Sequence, residues 1–414
     1  MSSFARKIIP YAVLAFATSL LACAQFNSEP GYLGLMLSGD GAGAASAADD
    51  GSSSGGGSGG GTSGTTTAVA VQTGTTTIAG AGAANTYTQD VTITSVDTTS
   101  SFLIFQARHN SNVPPDSLVR GELLNATTVR FTKVTNAAGT MTIRWYVVTY
   151  PSGTISVQRG NLSQATLPAN VTITDVGTTA QAFVLWSKTP EATASEWGQD
   201  DPLTLKLTST TNLQMDSNTT AASGVVAYQV VSFIDASLID VQTGSTSMAV
   251  GVTTANATIA SAIDTSKTFL LNDYITDGTG ADVGARMING RFSSTTGVTF
   301  DRGNGGDTDD LTDVAYQAVQ LNDGTSVQSG TATFVAAETT KNIAISTIDT
   351  GATAALLSTQ CGAGQGCGAT PYTTDDIVGE SSFTTDLTAT QLTLTRDSAN
   401  DAATVDWFVV QFGK

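Results

Sequence analysis

The chain has 414 residues, and 17 Lys+Arg against 35 Asp+Glu leave it with a net charge of −18. Phosphate binding needs clustered basic side chains, so this balance argues against a nucleic-acid partner. Charged residues make up only 13% of the chain, 42 residues are glycine, and about one residue in six is threonine, which suits pleated strands better than helices. With His109 as the single histidine, most histidine-based catalysis and any histidine-rich metal site fall away.

At the N-terminus Arg6 and Lys7 precede a short apolar run, Ile8 to Leu21, broken by Pro10 and ending in Leu20-Leu21-Ala22-Cys23. The run is shorter than the roughly 20 apolar residues of a membrane-spanning helix and reads as an export signal. Its end resembles a bacterial lipobox. The resemblance implies cleavage before Cys23, acylation of that cysteine, and a lipid anchor stable enough to hold the protein on a membrane. Ala24, rather than Asp, after the cysteine implies the outer membrane, with a surface-exposed body. The other reading is an ordinary signal peptide that ends near a cysteine. Residues 1–22 are assigned to the signal and 23–67 to a flexible tether. Gly39 to Thr67 is almost all Gly, Ser, Ala, Thr and Asp and lacks the large apolar residues that make a core.

From Ala68 onward the chain repeats itself. A Val-Gln-x-Gly tetrad begins at Val71, Val157, Val241 and Val327, at steps of 86, 84 and 86 residues. Three further markers keep phase with it. An alternating strand runs into a turn (Val91 to Thr98, Val171 to Thr178, Ile259 to Thr265, Ile343 to Thr350). An apolar run follows (Phe102 to Phe105, Phe183 to Trp186, Phe269 to Leu271, Ala355 to Leu357). A closing strand is led by Trp145, Tyr228, Tyr316 or Trp407. Each copy holds six strand-like runs, near 69–74, 90–94, 102–108, 118–124, 129–134 and 141–150 in the first, separated by turn-forming stretches. The expected fold is all-β: four tandem six-stranded antiparallel β-sandwich domains after a signal peptide and a Gly/Ser-rich linker. Their expected bounds are 68–151, 152–236, 237–322 and 323–414. Short joins such as Pro151-Ser152-Gly153 predict a semi-rigid string of beads. In an alternative phase, the closing strand of one copy pairs with the tetrad strand of the next.

The tetrad, the six-strand length and the closing strand with its leading Trp or Tyr resemble the H-type lectin family. That resemblance implies small six-stranded sandwiches that associate, often as trimers, and bind sugars such as N-acetylgalactosamine at subunit edges. It implies no sugar-site residues here, because the family's aromatic-His pair is replaced by Trp145-Tyr146 and Trp407-Phe408.

Several residues carry candidate chemistry. The closing aromatics are either sandwich core or a sugar-stacking platform. Trp197, beside Asp200 and Asp201 in a long insertion of the second copy, is either an exposed sugar-binding aromatic or a ring folded back over a sandwich edge. Asp301, Asn304, Asp307 and Asp309 lie on a glycine-rich loop of the third copy and suit calcium, a hard cation that takes oxygen ligands, or form a solvated acidic turn. No other cofactor is indicated. Cys361 and Cys367 bracket a glycine-rich segment, and in an exported protein they are expected to form a disulfide. His109 is expected at the surface, and no Gly-x-Ser-x-Gly elbow follows a strand, so no enzyme is expected. The connections between third and fourth strands differ most among the copies, as binding loops on a common scaffold do. These features predict a cell-surface lipoprotein, an adhesin or carbohydrate-binding protein whose partners are a glycan or a host or matrix protein, with a further copy of the chain as an oligomer partner. The alternative is a structural stalk or fibre subunit without a small-molecule ligand.

Overall fold

The computed structural model of the protein describes residues 68–79, 87–111, 114–134, 140–191, 197–277, 283–303, 310–361 and 378–413. Among the described residues, twenty-four strands fall into four sets of six. The first repeat holds β1 (Ala70–Ile78), β2 (Tyr87–Thr92), β3 (Ser101–Arg108), β4 (Arg120–Asn125), β5 (Thr128–Lys133) and β6 (Met141–Thr149). The second holds β7 (Ile155–Ser163), β8 (Ala169–Thr172), β9 (Ala182–Thr189), β10 (Thr204–Ser209), β11 (Asn212–Asp216) and β12 (Val225–Phe233). The third holds β13 (Ile239–Met248), β14 (Thr254–Thr258), β15 (Thr268–Thr276), β16 (Ile288–Ser294), β17 (Gly297–Arg302) and β18 (Leu311–Leu321). The fourth holds β19 (Ser326–Phe334), β20 (Thr340–Ala344), β21 (Thr353–Cys361), β22 (Thr384–Leu387), β23 (Gln391–Thr395) and β24 (Ala403–Gln411). Each repeat makes two three-stranded antiparallel sheets, β1-β6-β3 and β2-β5-β4 in the first, with the same order in the other three. The tetrad strand therefore pairs with the closing strand of its own repeat, not with that of a neighbour.

The tetrad has a structural cause at each position. Its valines, Val71, Val157, Val241 and Val327, are buried. Its glutamines clamp the two sheets together. Gln72 accepts from the Thr94 N–H (2.8 Å) and donates to the Thr94 carbonyl (2.9 Å), and Gln158, Gln242 and Gln328 do the same at Thr174, Ser261 and Ser346. Its glycines face the closing aromatics in register: Gly74 opposite Trp145, Gly160 opposite Tyr228, Gly244 opposite Tyr316, Gly330 opposite Trp407. A Cβ at Gly74 would stand 2.5 Å from the Trp145 ring, and one at Gly330 2.7 Å from the Trp407 ring. The motif thus lays a large ring flat across a strand that has no side chain there. The four aromatics are buried, as core side chains are.

The repeats do not lie in line. They close into a ring around one axis, with the third strands β3, β9, β15 and β21 innermost. The same joint recurs four times. A polar side chain on the third strand of one repeat takes a hydrogen bond from the fourth strand of the repeat before it. Ser187 accepts from the Gly121 N–H (3.0 Å), Asp273 from the Leu205 N–H (2.9 Å) and Ser358 from the Gly290 N–H (2.8 Å). Gln106 closes the circle by accepting from the Thr385 hydroxyl (3.0 Å) of the fourth repeat. Below this tier Ile104, Leu185, Leu271 and Leu356, one from each repeat, line the axis. Deeper still, Phe102, Phe183 and Phe269 pack edge to face at 5.8 and 5.7 Å, and Phe412 fills in at 5.9 Å from Phe102 where the fourth repeat carries Ala354. Tyr150 and Phe233 extend this plug.

The string of beads is thereby corrected. Apolar residues of all four repeats belong to one continuous cluster, while the first and second repeats keep additional cores of their own. A sandwich of about 85 residues is marginal alone, and here each buries further apolar surface against two neighbours.

Candidate functional site

Two kinds of recess arise from the ring: clefts between neighbouring repeats on its flank and a chamber along its axis. The clearest cleft lies between the second and third repeats. It encloses about 230 Å³ and is bordered by Thr179, Lys206, Thr243, Ser245, Tyr316 and Gln317, with Asp273 at its inner end. β10 supplies Lys206, β13 supplies Thr243 and Ser245, and β18 supplies Tyr316 and Gln317. Lys206 pairs with Asp313 across the joint, leaving both partly exposed. Tyr316, lying over Gly244, donates its hydroxyl to the Thr258 carbonyl (3.0 Å). Gln317 is fixed by two bonds to the Val184 backbone of the second repeat (2.8 and 3.0 Å).

Asp273 is the unusual member. Burial pushes its carboxyl up to about 7, against the Leu205 N–H, the nearby Lys206 ammonium and the Trp186 ring N–H (3.3 Å), all of which favour the ionised form. Sequence reading passed over this residue. The available signal was a carboxylate ending the apolar run Phe269-Leu270-Leu271, where the other repeats have Gln106, Ser187 and Ser358.

The corresponding cleft between the first and second repeats is smaller, about 190 Å³, and is bordered by Glu122, Leu124, Arg159, Tyr228 and Gln229. The Arg159 guanidinium donates to the Thr98 carbonyl (2.6 Å) and to that of Ser101. Burial lowers its pKa to about 10. Between the third and fourth repeats Arg291 stands between Asp301 and Asp406. Asp301 also accepts from the Thr254 hydroxyl (2.7 Å). This candidate calcium ligand is therefore spent on a guanidinium and a hydroxyl. Asn304, Asp307 and Asp309 lie outside the described residues, and among the described residues no group of three or more His, Cys, Asp or Glu is placed to hold a metal. The Cys361–Cys367 pairing and Cys23 also lie outside what is described.

In the inserted loop of the second repeat the structure takes the folded-back alternative. Trp197 is not exposed. It is 6% accessible and packs with Val283 and Val378, from the third and fourth repeats, and with Leu118 and Met287. Asp201 is 2% accessible and stands 4.0 Å from the buried Lys188 ammonium. Asp200, half-buried, gives its backbone carbonyl to Lys188 (2.7 Å). The physical reason is the ring. The described parts of the connections between third and fourth strands turn inward and roof the axis, so an aromatic that would be stranded on an isolated sandwich finds apolar partners on the three other repeats. The Trp197–Asp200–Asp201 group is thus not a surface platform.

His109 is likewise buried rather than at the surface. Its Nδ1 accepts from the Ser111 N–H (3.1 Å), and Nε2 lies 2.9 Å from the Ser382 hydroxyl of the fourth repeat. Burial, helped by the Lys133 ammonium, lowers its pKa to about 3, so it is neutral and structural. Compared with known proteins, the chain matches no family model, no curated protein and no solved structure.

Proposed function

We propose that the protein is an exported lipoprotein, anchored to the outer membrane through acylated Cys23, whose ring of sandwiches binds carbohydrate on glycans or matrix glycoproteins in the clefts between repeats. One observation carries this reading: the cleft between the second and third repeats gathers hydroxyls and an ammonium (Thr179, Thr243, Ser245, Lys206) beside Tyr316 in a recess of about 230 Å³. A sugar offers hydroxyls that both donate and accept, and it fits a concave site with a few placed polar groups and an apolar face. The likeness to H-type lectins adds that such folds bind sugars at subunit edges. Here the edges meet within one chain, so the repeats would supply for one another what separate subunits supply in an oligomer. The signal, Cys23 and the tether up to residue 67 support export and anchoring. A stalk would draw its reach from repeats set in line, and the ring offers none.

A glycan and matrix-protein array probed with the full chain, with and without calcium, tests the reading. We expect saturable binding to a restricted set of glycans. Lys206→Ala and Thr243→Val should weaken it at least tenfold without changing the circular dichroism of the fold. Absence of any glycan binding, or binding that both variants leave intact, would reject the cleft.

A further inference from the structure

Strand register lays out the floor of the cleft between the second and third repeats. Ser245, Ala315 and Asp273 are direct partners across β13, β18 and β15. Side chains in one such row share a face of the sheet. Neighbouring strands lie about 4.8 Å apart, so the row is about 10 Å long. It carries a hydroxyl at the outer end, a carboxyl at the inner end and only a methyl group between them. That low middle is what leaves space for a sugar ring. The first and fourth repeats have Arg144 and Asp406 where Ala315 stands, and both are engaged in ion pairs across their joints, with Asp386 and Arg291. The row of the second repeat, Asn161–Ala227–Ser187, has the methyl but ends in a hydroxyl.

The joint does not require the carboxyl. Ser187 and Ser358 take the equivalent backbone N–H with one hydroxyl each. At Asp273 a single oxygen does this work: Oδ2 accepts from the Leu205 N–H (2.9 Å) and from the Trp186 ring N–H (3.3 Å). These two are the hydrogen bonds that bear on its ionisation, and neither ends on Oδ1. Asp273 is 8% accessible and borders the cleft and, on its inner side, the axial chamber. The charged groups facing it are Lys206 on β10 and Asp313 on β18, which pair with each other. Burial outweighs the donors and keeps the carboxyl protonated up to about 7. An oxygen that accepts two N–H bonds does not also carry the acidic hydrogen, which places that hydrogen on Oδ1. Below pH 7 the inner end of the cleft therefore presents an O–H donor for which the described residues supply no acceptor.

A sugar hydroxyl would satisfy Oδ1 in either ionisation state, because it both donates and accepts. A carboxylate only accepts, and its bond to an O–H is charge-assisted and strong. The partly exposed Lys206 ammonium on the cleft border adds attraction for it, and an ionised Asp273 would repel it. We propose that this cleft prefers a sugar acid, a hexuronate whose carboxylate accepts the Oδ1–H of Asp273, so that one proton on the protein gates binding. The inference rests on the carbohydrate reading of the cleft and names the class of sugar.

The experiment titrates the full chain with methyl glucuronide and methyl galacturonide, using the methyl glycosides of glucose and galactose as neutral controls, by isothermal calorimetry at pH 6 and pH 8. One-to-one binding of a uronide is expected at pH 6, at least fivefold tighter than its neutral counterpart. Between pH 6 and pH 8 the protonated fraction of Asp273 falls from about 0.9 to about 0.1, so the uronide should bind about tenfold more weakly at the higher pH. Asp273→Asn places an N–H donor at the same point at every pH and should bind the uronide equally at both. Asp273→Ser keeps the joint but is too short to reach the ligand, and should remove the preference for the uronide. Ala315→Leu fills the middle of the row and should abolish binding, with Ser245→Leu as the same test if that variant does not fold. Leu356→Phe, on the axial side, should leave binding unchanged. Uronides and neutral sugars bound alike at both pH values would keep the carbohydrate reading and overturn this one. So would a pH dependence that persists in Asp273→Asn, or binding lost in Leu356→Phe but kept in both cleft-filling variants. No binding of any sugar at either pH would overturn both readings.

Discussion

Two joints of the ring are fastened by amides and two by aromatic rings. At the joints between repeats one and two and between two and three, Gln229 and Gln317 on the closing strands reach back to the preceding third strand. Each grips a backbone N–H and C=O together, at Leu103 and Val184. The equivalent positions in the fourth and first repeats are Phe408 and Tyr146. Phe408 packs edge to face with Phe292 of the third repeat at 5.9 Å. Tyr146 holds the Thr385 hydroxyl of the fourth repeat at 2.8 Å while Arg144 lies over its ring. One topological joint is therefore built from two chemistries. A glutamine set against the partner of Phe408 would bury its amide beside an aromatic ring, and a phenylalanine set against Leu103 would leave two backbone groups unpaired. A joint between mismatched repeats would therefore lose contacts that the native order makes.

The largest expected effect comes from the apolar joint. Phe408→Ala empties a fully packed site and should cost about 3–5 kcal/mol, measured as a lower urea midpoint at unchanged slope. Gln229→Ala should cost less, about 2–4 kcal/mol, because it strands the buried N–H and C=O of Leu103. The same titration checks it, and hydrogen exchange at the Leu103 amide should rise. Should the two variants prove equal, the contrast between the joints would carry no energetic weight.

The smallest effect is a pH dependence. Asp273, raised to about 7 by burial, keeps its proton in the folded chain at pH values where the unfolded chain, with an ordinary carboxyl near 4, has released it. Its contribution to stability is present below pH 4 and is lost as the pH rises to about 7. Asp273→Ser copies the joint at Ser187 and Ser358. It should flatten that part of the profile and raise the melting temperature above pH 7 relative to the parent. A parent-like decline between pH 4 and 7 in the variant would place the titration elsewhere, with the buried Asp201 the next group to replace.

The repeats were legible because their causes are local and occur four times. The Val-Gln-x-Gly tetrad must admit an aromatic, clamp a turn and bury a valine in every copy, so selection for the fold shows as a pattern. The ring was not legible, because its joints are made by residues that differ from copy to copy. Gln106, Ser187, Asp273 and Ser358 do one task with three chemistries. Gln229 and Gln317 look like the solvent face of a strand, and Phe102, Phe183 and Phe269 look like the core of a single sandwich. The site suffered the same way. His109 stands in a polar, proline-containing loop that reads as surface, Trp197 in a loop whose pattern allows both exposure and folding back, and only partners from other repeats bury them. The cleft residues Lys206, Thr243 and Ser245 are ordinary strand residues until a second repeat is set beside them.

Scanning calorimetry of residues 68–414 against residues 68–322 tests the closed ring most directly. With four joints intact, the longer chain should melt in one transition whose calorimetric and van't Hoff enthalpies agree. Without the fourth repeat, two joints are lost and the phenylalanine plug and leucine belt are laid open. The shorter chain should then melt at least 10 °C lower or fail to show a cooperative transition. A shorter chain that keeps the parent melting temperature, with its enthalpy reduced by about the share of one repeat, would show four independent sandwiches and contradict the ring.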